Sequence, residues 1–303
     1  MDLAVVIVTW NVRELALQTL RSLYNDLASS GLSAEVYVVD NASADDSAAA
    51  IAQAFPQVKL IASSENLGFV KGNNLALRQI MDSPAPPRAV YLLNPDTITQ
   101  PGATRALYDA LFASSRVGLV GARLSYGDGS FQHAAFAFPG LRQLWVEFFP
   151  TPGRLIESRF NGRYPRALYA GEQPFAVDFT LGATMMLRSE VIAQTGLFDE
   201  AFFMYCEEID WAWRIKTAGW DVLCVPRAHV VHLGGQSTGQ ARPQSVMHLW
   251  TSRLRLYRKH QPAWKFHIAR LMIAFGLWLR LRREQNPALR QTYQMLYQMA
   301  RQA

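Results

Sequence analysis

The chain has 303 residues, half of them hydrophobic, and a formal net charge of +6, which is enough apolar side chain for one large core and excludes a disordered chain. Cys206 and Cys224 are the only cysteines, too few for a disulfide-built secreted scaffold, so a reducing, cytoplasmic compartment is expected. The charge is uneven: residues 242–303 carry twelve Lys and Arg against Glu284 alone, a net of +11, while the preceding 241 residues carry 18 basic and 23 acidic side chains, a net of −5.

Met1 to Trp10 is apolar but lacks a basic leader, and Asn11, Arg13 and Glu14 interrupt it before signal or membrane-spanning length. Its β-branched run from Leu3 to Thr9 predicts a buried parallel strand feeding a helix to about Ala28, with an apolar stripe at Leu15, Leu20, Leu23 and Leu27. Glu35 to Asp40 predicts a second strand, and the turn-forming residues from Asp40 to Ser47 cap a helix to about Ala54. Lys59 to Ala62 predicts a third strand. Asn66 to Asn74 is a glycine-bearing loop opening a helix through about Met81. After a Pro-rich connector, Ala89 to Leu93 predicts a fourth strand that stops at Asn94-Pro95-Asp96.

This alternation defines an α/β fold with an open, mostly parallel sheet, whose ligands lie beyond the carboxyl ends of the strands. The polar turns at Asn11, Asp40, Asn66 and Asp96 all fall on that edge. From Gly118 the pattern becomes mixed, with irregular stretches from Gly127 to Pro139 and from Pro150 to Pro174. Order returns at Val177 to Leu187, in a helix from Glu207 to about Ile215, and in a strand from Asp221 to Val225 that ends at Pro226 and leads to His229 and His232.

Taken singly, the polar residues have two readings each. Asp96 is a turn former or a carboxylate for a divalent cation bridging a diphosphate. Asp40 caps the next helix or accepts a hydrogen bond from a nucleobase imide. Glu207, Glu208 and Asp210 are acids in a first helical turn, where negative charge suits the dipole, or they include a general base. His232 is a packed histidine, a neutral metal ligand or a contact to a diphosphate.

In order, Val-Ile-Val-Thr9-Trp-Asn11, Val-Val-Asp40-Asn41-Ala-Ser-Ala-Asp45, Asn66-Leu-Gly68-Phe-Val-Lys-Gly72-Asn73 and Leu-Leu-Asn94-Pro-Asp96 are followed by Gly182-Ala-Thr-Met-Met, Phe203-Met-Tyr-Cys-Glu207-Glu208-Ile-Asp210 and His232-Leu-Gly-Gly-Gln-Ser237. This series, over residues 1–240 or so, resembles glycosyltransferase family 2, close to its rhamnosyltransferase-like branch. The resemblance implies a GT-A type, Rossmann-like sheet flanked by helices, divided into a nucleotide-binding half (1–117) and an acceptor and catalytic half (118–241). It implies an inverting, metal-dependent transfer of a sugar, L-rhamnose by the branch, from a dTDP- or UDP-linked donor to a saccharide or lipid-linked acceptor in cell-surface polysaccharide or glycolipid biosynthesis.

By the same resemblance Thr9, Asn11, Asp40, Asn41, Asp45, Gly68, Gly72, Asn73 and Asn94 form the nucleotide-sugar site. Asp96 and His232 hold the divalent cation, Mg²⁺ or Mn²⁺, and the base is one of Glu208, Glu207 and Asp210. The chain departs from the family pattern twice. Asn94 replaces the first Asp of an Asp-x-Asp metal motif, leaving fewer charges on the cation. Glu208 stands where the family usually has Asp, which leaves the choice of base open. A nucleotidyltransferase would carry a glycine- and basic-rich loop after strand one, which Thr9-Trp-Asn-Val-Arg13 lacks; a catalytically silent sugar-nucleotide-binding module is the other alternative.

Residues 242–303 form a basic tail with two predicted helices, 244–260 and 263–283, separated by Pro262. The longest uncharged run, Leu271 to Leu279, is nine residues, well short of the ~20 needed to cross a bilayer. This basic, Trp-bearing helix is expected to lie at a membrane surface, at the inner face of the cell membrane, or to cover the catalytic domain or a second subunit of a homodimer. The aromatics follow an apolar stripe rather than a sheet platform, so nucleic acid is not the expected partner.

Overall fold

The structure, a computed structural model, describes residues 1–234 and 242–302; Gly235, Gln236 and Ser237 of the final glycine-bearing motif lie outside the described residues. Its first half alternates β1 (Leu3–Thr9), α1 (Arg13–Ser30), β2 (Ala34–Asp40), α2 (Ser47–Ala54), β3 (Lys59–Ala62), α3 (Gly68–Met81) and β4 (Ala89–Leu93). Every residue of β1 is buried, because helices cover both faces of a central parallel strand. α1 ends at Gly31, whose φ of 69° is the left-handed conformation that glycine adopts without Cβ strain.

The second half contains β5 (Thr97–Thr99), α4 (Ala103–Phe112), β6 (Val117–Ser125), β7 (Phe131–Gln132), β8 (Ala135–Phe136), α5 (Leu141–Phe148), α6 (Gly153–Ile156), α7 (Arg166–Ala170), β9 (Phe175–Ala176), β10 (Phe179–Thr180), β11 (Thr184–Arg188), α8 (Ser189–Thr195), α9 (Glu207–Thr217) and β12 (Asp221–His232). The main sheet runs β3-β2-β1-β4-β11-β6-β12-β5. Its first four strands are parallel, β11 is antiparallel to both β4 and β6, and β12 is parallel to β6. β12 does not stop at Pro226. Its register against β6 slips between Val225 and His229, a bulge that absorbs the missing proline N–H and carries the strand on to His232.

Three helices follow: α10 (Arg242–His260), α11 (Ala263–Arg283) and α12 (Pro287–Gln302). They share a second core of Leu144 from α5 with Trp250, Leu254, Ile273, Leu277, Leu289, Tyr293 and Leu296. Gly276 lets α5 approach α11 closely, since a Cβ there would overlap the Phe148 ring. No helix among the described residues is long and apolar enough to cross a membrane.

Candidate active site

Parallel strands β2, β1 and β4 end along one edge, where Thr9 is paired with Asp40. A cavity of about 270 Å³ opens there, lined by Thr9 and Trp10 after β1, Asn41 after β2, Gly68 and Phe69 at the start of α3, Asn94, Pro95 and Asp96 after β4, Gly182 before β11, Tyr205, Glu207 and Glu208 around the start of α9, and His232 at the end of β12. The sequence-predicted Thr9, Asn41, Gly68, Asn94, Asp96, Glu207, Glu208 and His232 thus meet in one place, at the strand ends where an open α/β sheet binds ligands.

At one end of the cavity, antiparallel pairing of β12 with β5 sets His232 opposite Thr97, which brings its Nε2 to 3.5 Å from Asp96 Oδ1 and 3.5 Å from Asn94 Nδ2. His232 Nδ1 lies 3.3 Å from Gln132 Oε1. A proton on Nδ1 satisfies that contact and leaves the Nε2 lone pair facing Asp96, the tautomer a metal ligand requires. Among the described residues no group of three or more His, Cys, Asp and Glu gathers into a metal cage. A divalent cation held by Asp96 and His232 would therefore have to take its other ligands from phosphate oxygens and water.

At the other end, Tyr205 and Cys206 both adopt left-handed backbone, with φ of 68° and 66°. This conformation costs non-glycine residues about 1–3 kcal/mol each and clusters at functional sites. It turns the chain sharply into α9, so that Glu207 and Glu208 both enter the cavity. Oε2 of each carboxylate is buried with no hydrogen-bond partner among the described residues. Burial pushes the Glu208 carboxyl up to about 7. Glu207 is likewise raised well above the ordinary carboxylate range, by burial and by the neighbouring Glu208 charge. Gly182 supplies the open side: a Cβ built there would lie 3.6 Å from Glu208 Cβ, so glycine leaves space in front of that carboxylate.

Six of the predicted residues lie outside the cavity wall. Asp210 is fully buried and held by Arg214 Nε at 3.0 Å, His260 Nε2 at 2.7 Å and Lys259 Nζ at 2.7 Å. Burial alone would raise its carboxyl, but the hydrogen bonds from His260 and Lys259 and the charges of Arg214 and Lys259 draw it down to about 2, so it is fully ionised and its oxygens are occupied. Asn11 accepts from the Ala44 amide, and Asp45 from the Arg13 amide and Ser47, which fastens the start of α1 to the turn after β2. Gly72 serves packing, since a Cβ would lie 2.9 Å from Val8 Cγ1. Asn73 is buried and donates to the Phe69 carbonyl. Asp40 accepts from the Ser43 amide through Oδ2, while its Oδ1, like Thr9 Oγ1 and Asn41 Oδ1, is buried without a partner among the described residues.

Trp10, Phe69 and Leu181 line the cavity without having been singled out as site residues. Trp10 had a readable signal, since it directly follows a strand at its ligand-facing end. Phe69 and Leu181 had none, because an apolar residue beside a glycine in a loop is indistinguishable from core. Behind the cavity, α10 braces the loop before α9: Ser252 Oγ donates to the Met204 carbonyl at 2.8 Å, Arg255 donates to the Ala201 carbonyl, and His248 stacks on Phe203 with ring centroids 4.4 Å apart.

The chain is similar to known proteins in sequence and in fold. The chain is 31% identical over 229 residues to N-acetylglucosaminyl-diphospho-decaprenol L-rhamnosyltransferase of Mycobacterium tuberculosis, covering 71% of this chain and 72% of that one. It is 26% identical over 170 residues to rhamnosyltransferase WbbL of Escherichia coli, covering 54% of this chain and 60% of that one. In fold it is similar to the mannosyltransferase PcManGT of Pyrobaculum calidifontis, solved with GDP-Man and Mn²⁺, with a TM-score of 0.56 at 17% identity over 99% of this chain and 84% of that one. It is also similar to GalNAc-T7, solved with UDP, GalNAc and Mn²⁺, with a TM-score of 0.62 at 14% identity over 100% of this chain and 56% of that one. The family described as "Glycosyltransferase like family 2" matches residues 2–266, from the first residues of β1 into α11, and the chain belongs to that family.

Proposed function

We propose that the chain transfers a sugar, L-rhamnose, from a dTDP- or UDP-linked donor to the hydroxyl of a lipid-linked saccharide, inverting the anomeric carbon, in cell-surface polysaccharide or glycolipid assembly in the cytoplasm. The observation that carries this reading is the meeting, in one cavity, of the Asp96 and His232 pair with the buried carboxylates Glu207 and Glu208. The names of the Mycobacterium tuberculosis and Escherichia coli relatives support rhamnose, and the first of them supports a lipid diphosphate acceptor.

Glu208 is the base in this reading. Its carboxyl faces the space left by Gly182, whereas Glu207 is almost wholly buried and Asp210 is already held by Arg214, Lys259 and His260. The acceptor O–H gives its proton to the Glu208 carboxylate, and its oxygen bonds to the anomeric carbon from the side opposite the diphosphate. The sugar–diphosphate bond breaks with its electron pair passing to the leaving oxygen. A divalent cation, Mg²⁺ or Mn²⁺, held by Asp96 and His232 would neutralise the charge on that leaving diphosphate. The oxygens of Thr9 and Asn41 on the cavity wall, buried without a partner among the described residues, support the nucleoside end, because a base or ribose bringing N–H and O–H donors would satisfy them.

A panel of dTDP- and UDP-sugars, assayed with a polyprenyl-diphosphate saccharide with and without Mn²⁺, tests the reading. Release of nucleoside diphosphate from one donor with an inverted product is expected. Incorporation of nucleoside monophosphate into product would instead make the chain a nucleotidyltransferase.

A further inference from the structure

We propose that the outer face of α5 and α11 docks flat on an anionic lipid surface. On α11 the residues Trp264, Ile268, Leu271, Phe275 and Trp278 follow one another at spacings of four and three, a single stripe along the helix. Most of an amphipathic helix buries such a stripe, and α11 does bury another, Ala269, Ile273 and Leu277, in the second core. The outer stripe stays open: Trp264 is 60% exposed, Leu271 53%, Phe275 48% and Ile268 40%. It continues onto α5, because Phe149 after that helix stacks between Trp145 and Phe275, with ring centroids 4.5 Å and 6.0 Å away, and Phe275 lies 5.7 Å from Trp278. Trp145 is itself 49% exposed. A contiguous, aromatic-rich apolar face of this kind marks a contact surface.

Charge decides the occupant. Arg142, Arg282 and Arg283 are exposed around the face, Lys265 and Arg282 sit over the rings of Trp264 and Trp278, and Glu284 is the only acid in residues 242–303. The acid on α5, Glu147, points inward to Arg253 and Arg280 at 3.2 Å and 2.6 Å. Two copies of this face brought together would set like charges against each other. An anionic bilayer takes both features at once, with tryptophan and apolar side chains at the headgroup boundary and Arg and Lys on the lipid phosphates. Since no described helix can cross the bilayer, the contact lies in the membrane plane. It rests on the proposed activity only in bringing the enzyme to a lipid-linked acceptor; binding itself is measured without donor or acceptor, so failure of one reading is separable from failure of the other.

The full chain is sedimented with vesicles of equimolar phosphatidylglycerol and phosphatidylcholine, and with phosphatidylcholine alone. Cosedimentation with the anionic vesicles, weakening as salt rises, is expected, with a blue shift of tryptophan emission. The double variant Leu271→Glu/Phe275→Glu changes only exposed side chains. It should keep its circular dichroism and melting temperature while binding at least about tenfold more weakly. Equal recovery in the supernatant with both lipids, equal binding to both, or unchanged binding by the variant would each overturn the proposal. So would a dimer of the parent chain that the variant dissociates, because a second copy would then own the face.

Discussion

Glu208 combines two demands that pull in opposite directions. As the proposed base it must lose its proton, yet burial favours the protonated form and pushes the carboxyl up to about 7. kcat/KM should therefore rise with pH through a limb centred near 7, as the carboxylate forms. The sign for stability is the reverse. The folded state holds this proton more tightly than the unfolded state does, so the contribution to stability is full below the ordinary carboxylate range and is lost as pH rises through about 7. Glu208→Gln removes both effects. Transfer should fall by about 10²–10⁴-fold with donor binding retained, while the variant melts higher than the parent chain at pH 8, in thermal unfolding measured side by side. Retained transfer in Glu208→Gln would move the base to Glu207. At the opposite end of the cavity, Asp96→Ala removes the carboxylate beside His232. Turnover should drop by about 10²-fold or more, and the nucleoside diphosphate should no longer bind more tightly when Mn²⁺ is added, as calorimetry would detect.

Among the elements, α9 shows why a site can be legible in sequence while its roles are not. Glu207, Glu208 and Asp210 share one helical turn, and spacing alone cannot say which face meets the cavity. The tandem left-handed residues Tyr205 and Cys206 set that choice, and nothing about a Tyr-Cys pair advertises positive φ. Asp210 is decided by residues about fifty positions later: Lys259 and His260 at the end of α10 bind its Oδ1, while Arg214 takes its Oδ2. The strand ends at Thr9, Asp40 and Leu93 were readable because buried parallel strands have short β-branched runs and abrupt polar stops. β12 was read short because its bulge around Pro226 is a property of the pairing with β6. α12 escaped notice because its buried residues, Leu289, Tyr293, Leu296 and Ala300, lie among polar ones and only complete a core begun by α10 and α11. If the Asp210 cluster orients α9, Lys259→Met should lower stability by about 1–2 kcal/mol, a modest loss because Lys259 is partly exposed and Asp210 keeps its contacts to Arg214 and His260. kcat should fall while the KM for donor stays level, since the donor side of the cavity is built on other elements; a change in KM alone would argue against a role through α9.

Across the whole molecule, the sequence divides sharply at the change from an acidic body to a basic tail, and that boundary suggests a detachable appendage. The contacts argue otherwise. α10 supplies two of the three side chains that hold Asp210 and braces the loop before α9 through Ser252, Arg255 and His248, and Leu256 belongs to the core of the sheet domain. α5, from the body, completes the core of the tail through Leu144. The charge difference between the parts is thus partly consumed at their junction, in Lys259 with Asp199 and in Arg253 and Arg280 with Glu147. A chain ending at residue 241 would leave Asp210 buried against Arg214 alone, a loss of buried pairing that typically costs about 3–5 kcal/mol, and would expose Leu144 and Phe148 to water. Against a typical total stability of about 5–15 kcal/mol, that is enough to prevent a stable fold. The shortened chain should be recovered mainly in inclusion bodies, or as a species lacking a cooperative melting transition. A soluble chain of residues 1–241 that melts cooperatively and turns over donor would show instead that α9 holds its position without the tail.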